Sequence, residues 1–295
     1  MMTTNNPAHD GRILRIVEAA LMEDIGMGDV TGDATIEDGA RFGAEFLVKQ
    51  DGVIAGLEIA ELALRISDER TVVHLVSHDG TQVQRGTVVA VAEGEAKSLL
   101  RAERVALNFL QRISGIATLT RRYVDAVAGT GAKITDTRKT APGLRVLDKL
   151  GVRMGGGVNH RFGLDDMVLI KDNHIVAAGG VIPAVRRCRE YLASRELRLG
   201  IEVETTSMAM VREALGCGGI QRIMLDNFPL PQLSEAVRLI EHRVEVEASG
   251  GITLHSVRQV AETGVDLISV GALTHSVVAL DISLEFTAGT HLPHA

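Results

Sequence analysis

Between residues 138 and 174 the chain gathers Arg138, Lys139, Arg145, Lys149, Arg153, His160, Arg161, Lys171 and His174, although its formal net charge is -7. A local excess of cations in an acidic chain implies an anion site. Lys149 and Arg153, four residues apart in a helical stretch, read as solvated surface charges. Arg138, Lys139, His160, Arg161 and Lys171 fall instead at strand ends or beside the run Gly155-Gly156-Gly157, where long side chains are aimed at a ligand. An arginine fork suits a planar carboxylate through two parallel hydrogen bonds, and a lysine acts as a point charge for phosphate. Glu204 and Asp226 end successive strands among these cations. Two carboxylates facing anionic ligands make sense with a cation between them, and Mg²⁺ binds in this way through one or two carboxylates plus phosphate oxygens. Simple salt bridges to Lys139 and Lys171 account for the same acids equally simply. Ser249-Gly250-Gly251-Ile252-Thr253 and Val270-Gly271-Ala272 follow the last two strands, where glycine lets backbone N–H groups approach a phosphate closely.

These residues need elements to bring them together. Residues 12–23 carry Ile13, Ile16, Val17, Ala20 and Leu21 at helical spacing. Residues 42–93 break into short β-branched or alternating runs punctuated by Asp51-Gly52, Asp79-Gly80 and Arg85-Gly86, which predicts an antiparallel sheet with a helix near residues 57–66 packed on it. A long apolar-faced helix follows over residues 96–127. Beyond Gly131, apolar strands near residues 133, 168, 200, 222, 244 and 267 alternate with helical segments, the pattern of βα units. Their polar ends, Asp136 to Lys139, Lys171, Glu204, Asp226, Ser249 to Gly251 and Gly271, would meet on one face of a barrel. Taken singly, each is also explained by a loop beginning there.

Composition narrows the function classes. The acidic balance, the 3% aromatic content and the absence of Trp exclude a nucleic-acid or anionic-membrane partner that needs a basic face or a stacking platform. Cys188 and Cys217 form no CxxC pair and no metal-ligand spacing, so both read as free thiols. The first twelve residues lack a basic segment leading into an apolar run, and a cytoplasmic location is expected.

The runs TRKTAPGLR (137–145), GGGVNHRFGLDDMVLIKDNHI (155–175), SGGI (249–252) and VGALTHSVVALDISLEF (270–286) closely resemble the quinolinate phosphoribosyltransferases. EDIGMGDVTGDATI (23–36) and ERVALNFLQRISGIATLT (103–120) extend the resemblance over nearly the whole chain. It implies an N-terminal α/β sandwich over residues 1–115, on which residues 281–295 also pack, and an incomplete seven-stranded α/β barrel over 116–280. It implies transfer of phosphoribosyl from phosphoribosyl pyrophosphate to quinolinate with loss of CO2. By the same resemblance, Arg138, His160, Arg161 and Lys171 bind quinolinate. Thr137, Lys139, Glu204, Asp226, Ser249 to Gly251 (with Gly250) and Val270 to Ala272 (with Gly271) hold the second substrate and its Mg²⁺. Lys139, Lys171, Glu204 and Asp226 are the catalytic set. A homodimer, or a hexamer of dimers, is expected, with Arg104 donated across the interface. Val158 stands where many relatives have His and leaves Asn159-His160-Arg161 intact. The competing readings are a molybdenum-transport-associated paralogue, against which the intact NHR and KDNH runs speak, and a catalytically silent binder, which has no use for Glu204 and Asp226.

Overall fold

The computed structural model describes residues 10–287. The expectations for the extreme N-terminus before residue 10 and for the packing of residues 288–295 lie outside them. Helix α1 (Gly11–Ile25) starts where the Asp10 carboxylate accepts the Arg12 N–H at 2.8 Å, buries Ile13, Val17 and Leu21 four residues apart, and stops at Gly26 with φ 52°. Then come α2 (Val30–Thr35), β1 (Arg41–Val48), β2 (Gly52–Val53), α3 (Leu57–Ser67), β3 (Val72–Leu75), β4 (Gln82–Val83), β5 (Val88–Glu95) and α4 (Ala96–Ala126). The chain continues through β6 (Lys133–Thr135), α5 (Arg145–Met154), β7 (Val168–Ile170), α6 (Asp172–Ala178), α7 (Val181–Ser194), β8 (Ile201–Thr205), α8 (Met208–Cys217) and β9 (Arg222–Asp226). It ends with α9 (Leu230–Ile240), β10 (Glu245–Ser249), α10 (Val257–Glu262), β11 (Leu267–Ser269), α11 (Ala272–His275) and β12 (Ile282–Thr287).

Two compact units result. Among the described residues, the first takes 10–121, 140–156 and 276–287. Its sheet runs β12-β1-β5-β3 with antiparallel pairs throughout, beside the short β2-β4 pair. Strand β1 alternates, burying Ala44, Phe46 and Val48, and these join α1, α3 and α4 side chains in one apolar core. Helix α5 also belongs here, against the backbone of α4. A Cβ on Gly151 would lie 2.9 Å from the Ile113 carbonyl oxygen, and one on Gly155 would lie 2.5 Å from that of Ala117. This close approach corrects the expectation for Lys149, which is fully buried rather than solvated, whereas Arg153 is exposed. Its neighbour Asp148 is also fully buried and accepts two hydrogen bonds from Arg112, at 2.9 and 3.0 Å, and one from the Ala141 N–H.

The second unit takes residues 122–139 and 157–275 and is built on one parallel sheet, ordered β6-β11-β10-β9-β8-β7. Each strand but the last, β11, is followed by a helix-containing crossover to the next strand in chain order, as the alternation in sequence requires. Six strands make the sheet. The seventh implied by the family resemblance is reduced to one parallel bridge, Val158 to Thr135, on the outer side of β6. The Asp136 carboxylate ends that pairing by accepting the His160 N–H at 2.9 Å and the Asn159 side-chain amide at 2.6 Å. The sheet curls. His160 starts from the β6 edge, yet its ring lies 3.0 Å from Glu202 on β8, a separation of more than about 20 Å in a flat sheet.

Candidate active site

All six strands are parallel, so their C-terminal ends share one edge of the sheet. At the end of β6, the Thr137 hydroxyl accepts the Lys139 N–H at 3.0 Å, and the Thr274 hydroxyl of α11 donates to the Lys139 carbonyl at 2.9 Å. The Val270 N–H donates to the Thr135 carbonyl at 3.0 Å, closing the β11 loop over β6. A side chain on Gly271 would stand 3.1 Å from the Lys139 stem, so glycine is what lets this lysine lie across the loop. Thr137, Lys139, Val270, Gly271 and Ala272 are thereby brought together.

Arg138 and Arg161 are also neighbours. Burial, and after it the charge of Arg138, lowers the pKa of Arg161, while Glu202 and Asp166 act in the opposite sense. Arg161 Nη1 donates to the Met167 carbonyl at 3.1 Å, which holds its half-buried side chain against the loop entering β7. Two guanidinium groups whose charges act on each other would favour an anion between them, and their forks suit carboxylate geometry. Lys171 caps α6, and its N–H donates to His174 Nδ1 at 2.9 Å. Its ammonium pairs with Glu204, whose side chain is only 12% exposed against 44% for the lysine.

Strand register puts Glu204 opposite Met224 and Asp226 opposite Ser249. Side chains alternate, so Glu204, Met224, Asp226 and Ser249 share one face of the sheet, with the two acids at its C-terminal edge. Asn227, in a left-handed conformation with φ 57°, donates to Asp226 Oδ2 at 2.8 Å. It also covers Gly250, where a Cβ would fall 2.2 Å from its Oδ1. Gly250 and Gly251 have φ of 94° and 61°. Arg104 lies on α4 in the other unit with its side chain 58% exposed and 3.9 Å from Glu103.

One cluster had no counterpart in the sequence reading. His160 Nε2 lies 3.0 Å from Glu202 and 3.4 Å from Glu247, and Arg222 reaches the same two carboxylates at 3.6 and 3.2 Å. Both glutamates are fully buried. The available signal was their spacing: Glu202 precedes Glu204 by two and Glu247 precedes Ser249 by two, which puts them on the same face as those residues and opposite Ile201, Val203, Val246 and Ala248. Among the described residues this trio of His160, Glu202 and Glu247 has the spacing of a metal site. Arg222 already supplies the compensating charge. Burial disfavours a charged His160 ring, but Glu202 and Glu247 outweigh it and raise its pKa. The pKa of Glu202 is raised too, chiefly by burial. The Arg161 N–H leaves no room for a second ring proton at Nδ1, so against the rise in the ring's pKa the geometry favours a neutral ring with its one proton on Nε2, facing the two acids. That leaves Nδ1 to accept the Arg161 N–H, which points at it from 2.8 Å.

Comparison with known proteins gives a consistent result over both units. Family models described as the N-terminal and C-terminal domains of quinolinate phosphoribosyl transferase match residues 29–114 and 116–285. A tobacco (Nicotiana tabacum) protein named quinolinate phosphoribosyltransferase [decarboxylating] 2a, mitochondrial, is 48% identical, over 95% of this chain and 84% of its own length. A probable nicotinate-nucleotide pyrophosphorylase [carboxylating] of Bacillus subtilis is 42% identical over 94% of each chain. The crystal structure of NadC from Streptococcus pyogenes superposes with a TM-score of 0.89 at 38% identity, covering 94% of this chain and 96% of that one.

Proposed function

The chain belongs to the quinolinate phosphoribosyltransferase family, and we propose that the strand ends of its parallel sheet carry the reaction of that family. The activity is transfer of phosphoribosyl from phosphoribosyl pyrophosphate to quinolinate, with release of pyrophosphate and CO2, giving nicotinate mononucleotide for de novo NAD biosynthesis. The observation that carries the site assignment is the juxtaposition of Arg138 and Arg161, two like charges held together in half-buried positions. In this reading they take the two carboxylates of quinolinate, with His160 beside them and Lys171 completing the positive wall. Thr137, Lys139 and the loops Ser249 to Gly251 and Val270 to Ala272 take the phosphates, by a lysine charge on one side and close backbone approach on the other.

Glu204 and Asp226 offer only oxygen donors, on the same face of adjacent strands, and this set fits Mg²⁺. When bound, the ion would screen pyrophosphate charge as the bond to ribose C1 breaks. Lys171 holds Glu204 in the meantime, and would turn from it toward substrate on binding. The chain's own work is mainly positioning. The arginines present the pyridine nitrogen to C1, and the lysines favour departing negative charge. Once the nitrogen is quaternised, the ring accepts the electron pair left by the 2-carboxylate, so transfer precedes CO2 loss. Donation of Arg104 to a second copy, as a homodimer or a hexamer of dimers, and a cytoplasmic location belong to the same reading. The free thiols of Cys188 and Cys217 are in keeping with the location. The deciding experiment incubates the protein with quinolinate, phosphoribosyl pyrophosphate and Mg²⁺. Nicotinate mononucleotide and CO2 in equal amounts are expected, with turnover lost in the Glu204→Gln, Asp226→Asn double variant; metal-dependent turnover by that variant would return both acids to a salt-bridge role.

A further inference from the structure

The inside of the parallel sheet is the last place where chemistry of this kind requires charge, yet Glu202, Arg222 and Glu247 stand there on three adjacent strands. Stability alone does not explain them, because apolar residues of similar volume generally serve as well as a buried ion cluster or better. What the cluster touches is His160, whose side chain is only 5% exposed. The two sides of the ring do different things. Nε2 faces Glu202 and Glu247 at 3.0 and 3.4 Å, and Nδ1 accepts the backbone N–H of Arg161 at 2.8 Å. The preceding backbone N–H, that of His160, is taken by fully buried Asp136 at 2.9 Å. Successive N–H groups at the root of Arg161 are thus fixed by groups anchored in the sheet.

We propose that Glu202 and Glu247, balanced by Arg222, are positioning residues for quinolinate binding: they lock the His160 ring, and the ring locks the backbone from which Arg161 extends. This deepens the reading in which Arg161 holds a substrate carboxylate, and rests on it. The acids touch no substrate in this scheme. Their influence falls on the aromatic diacid through His160 and Arg161, while Glu204 and Asp226, nearer the C-terminal ends of the strands that carry this cluster, are held by Lys171 and Asn227.

The test replaces each acid by its isosteric amide, Glu202→Gln and Glu247→Gln, with thermal unfolding as a check on folding. The expected result is a rise of about tenfold or more in KM for quinolinate, with KM for phosphoribosyl pyrophosphate changed by less than about twofold. In a His160→Asn background, Glu247→Gln should add nothing, because the link is already cut. Equal rises in both KM values, or a full additional effect in that background, would overturn the proposal. If the amide variants do not fold, ¹⁵N-histidine NMR of the unaltered enzyme decides: His160, assigned by its absence from the spectrum of His160→Asn, should carry a proton on Nε2 and a bare Nδ1 at neutral pH. A protonated Nδ1 cannot accept the Arg161 N–H and would refute the relay. Arg161→Ala separates the two levels. If that variant leaves KM for quinolinate unchanged, the assignment of Arg161 is wrong; if it raises KM while the amide variants do not, only the relay fails.

Discussion

The charge of Arg138 disfavours that of half-buried Arg161, and an anion bound between the two would relieve that cost. Arg138→Ala or Arg161→Ala should therefore raise KM for quinolinate by a factor equivalent to about 1.5–3 kcal/mol, the worth of a charged hydrogen bond, and change KM for phosphoribosyl pyrophosphate far less. Steady-state kinetics with each substrate varied in turn would show it, and equal losses for both would break the assignment. Gly250 makes the opposite test. A methyl group there meets Asn227 Oδ1 at 2.2 Å on a backbone with φ 94°, so Gly250→Ala must displace Asn227 from Asp226 and strain the loop. Its expected signature is a raised KM for phosphoribosyl pyrophosphate with quinolinate binding preserved, measured by titration calorimetry of each ligand. The motif SGGI marked this loop in the sequence; the interlock with Asn227, twenty-three residues earlier in the chain, had no local signal.

At the scale of elements, local rules carried most of the assignment. The helices expected over 12–23, 57–66 and 96–127 occur at Gly11–Ile25, Leu57–Ser67 and Ala96–Ala126, because apolar spacing and caps are properties of neighbouring residues. The cap of α1 gives a prediction of its own. Hydrogen bonds from the Arg12 side chain and backbone lower the Asp10 pKa from the ordinary 3.8 to about 2. A carboxylate with a depressed pKa in the folded state stabilises above its unfolded value and loses that contribution as pH falls toward the folded one. Asp10→Ala should cost about 1 kcal/mol at pH 7, the worth of an N-cap with its exposed ion pair heavily discounted for solvent screening. The difference between variant and parent should shrink as the pH falls from 4 toward 2, as read from urea unfolding; a gap that stays constant over that window would remove the charge from the explanation.

For the molecule as a whole, the resemblance implies Arg104 in the site of a second copy, and its exposed side chain on α4 lies 3.9 Å from Glu103. Arg104→Ala and Lys171→Ala should each be inactive, and refolding them together should restore activity to about a quarter of all sites, since half of randomly paired dimers are mixed and each has one intact site. A mixture that stays silent despite proven exchange of subunits would end the shared-site idea. The order of βα units and the family itself were legible in the sequence, because each is written in short-range periodicity or in contiguous motifs such as residues 155–175. Long-range packing decided the rest. Nothing local says that residues 140–156 group with the antiparallel sheet, or that β12 returns to pair with β1, or that glycines bring α5 near enough to α4 to bury Lys149. Periodicity states which face of an element is apolar but not what will lie against it. The meeting of His160 with Glu202, Arg222 and Glu247 depends on how far the sheet curls, and that is set by the contacts of the whole folded unit.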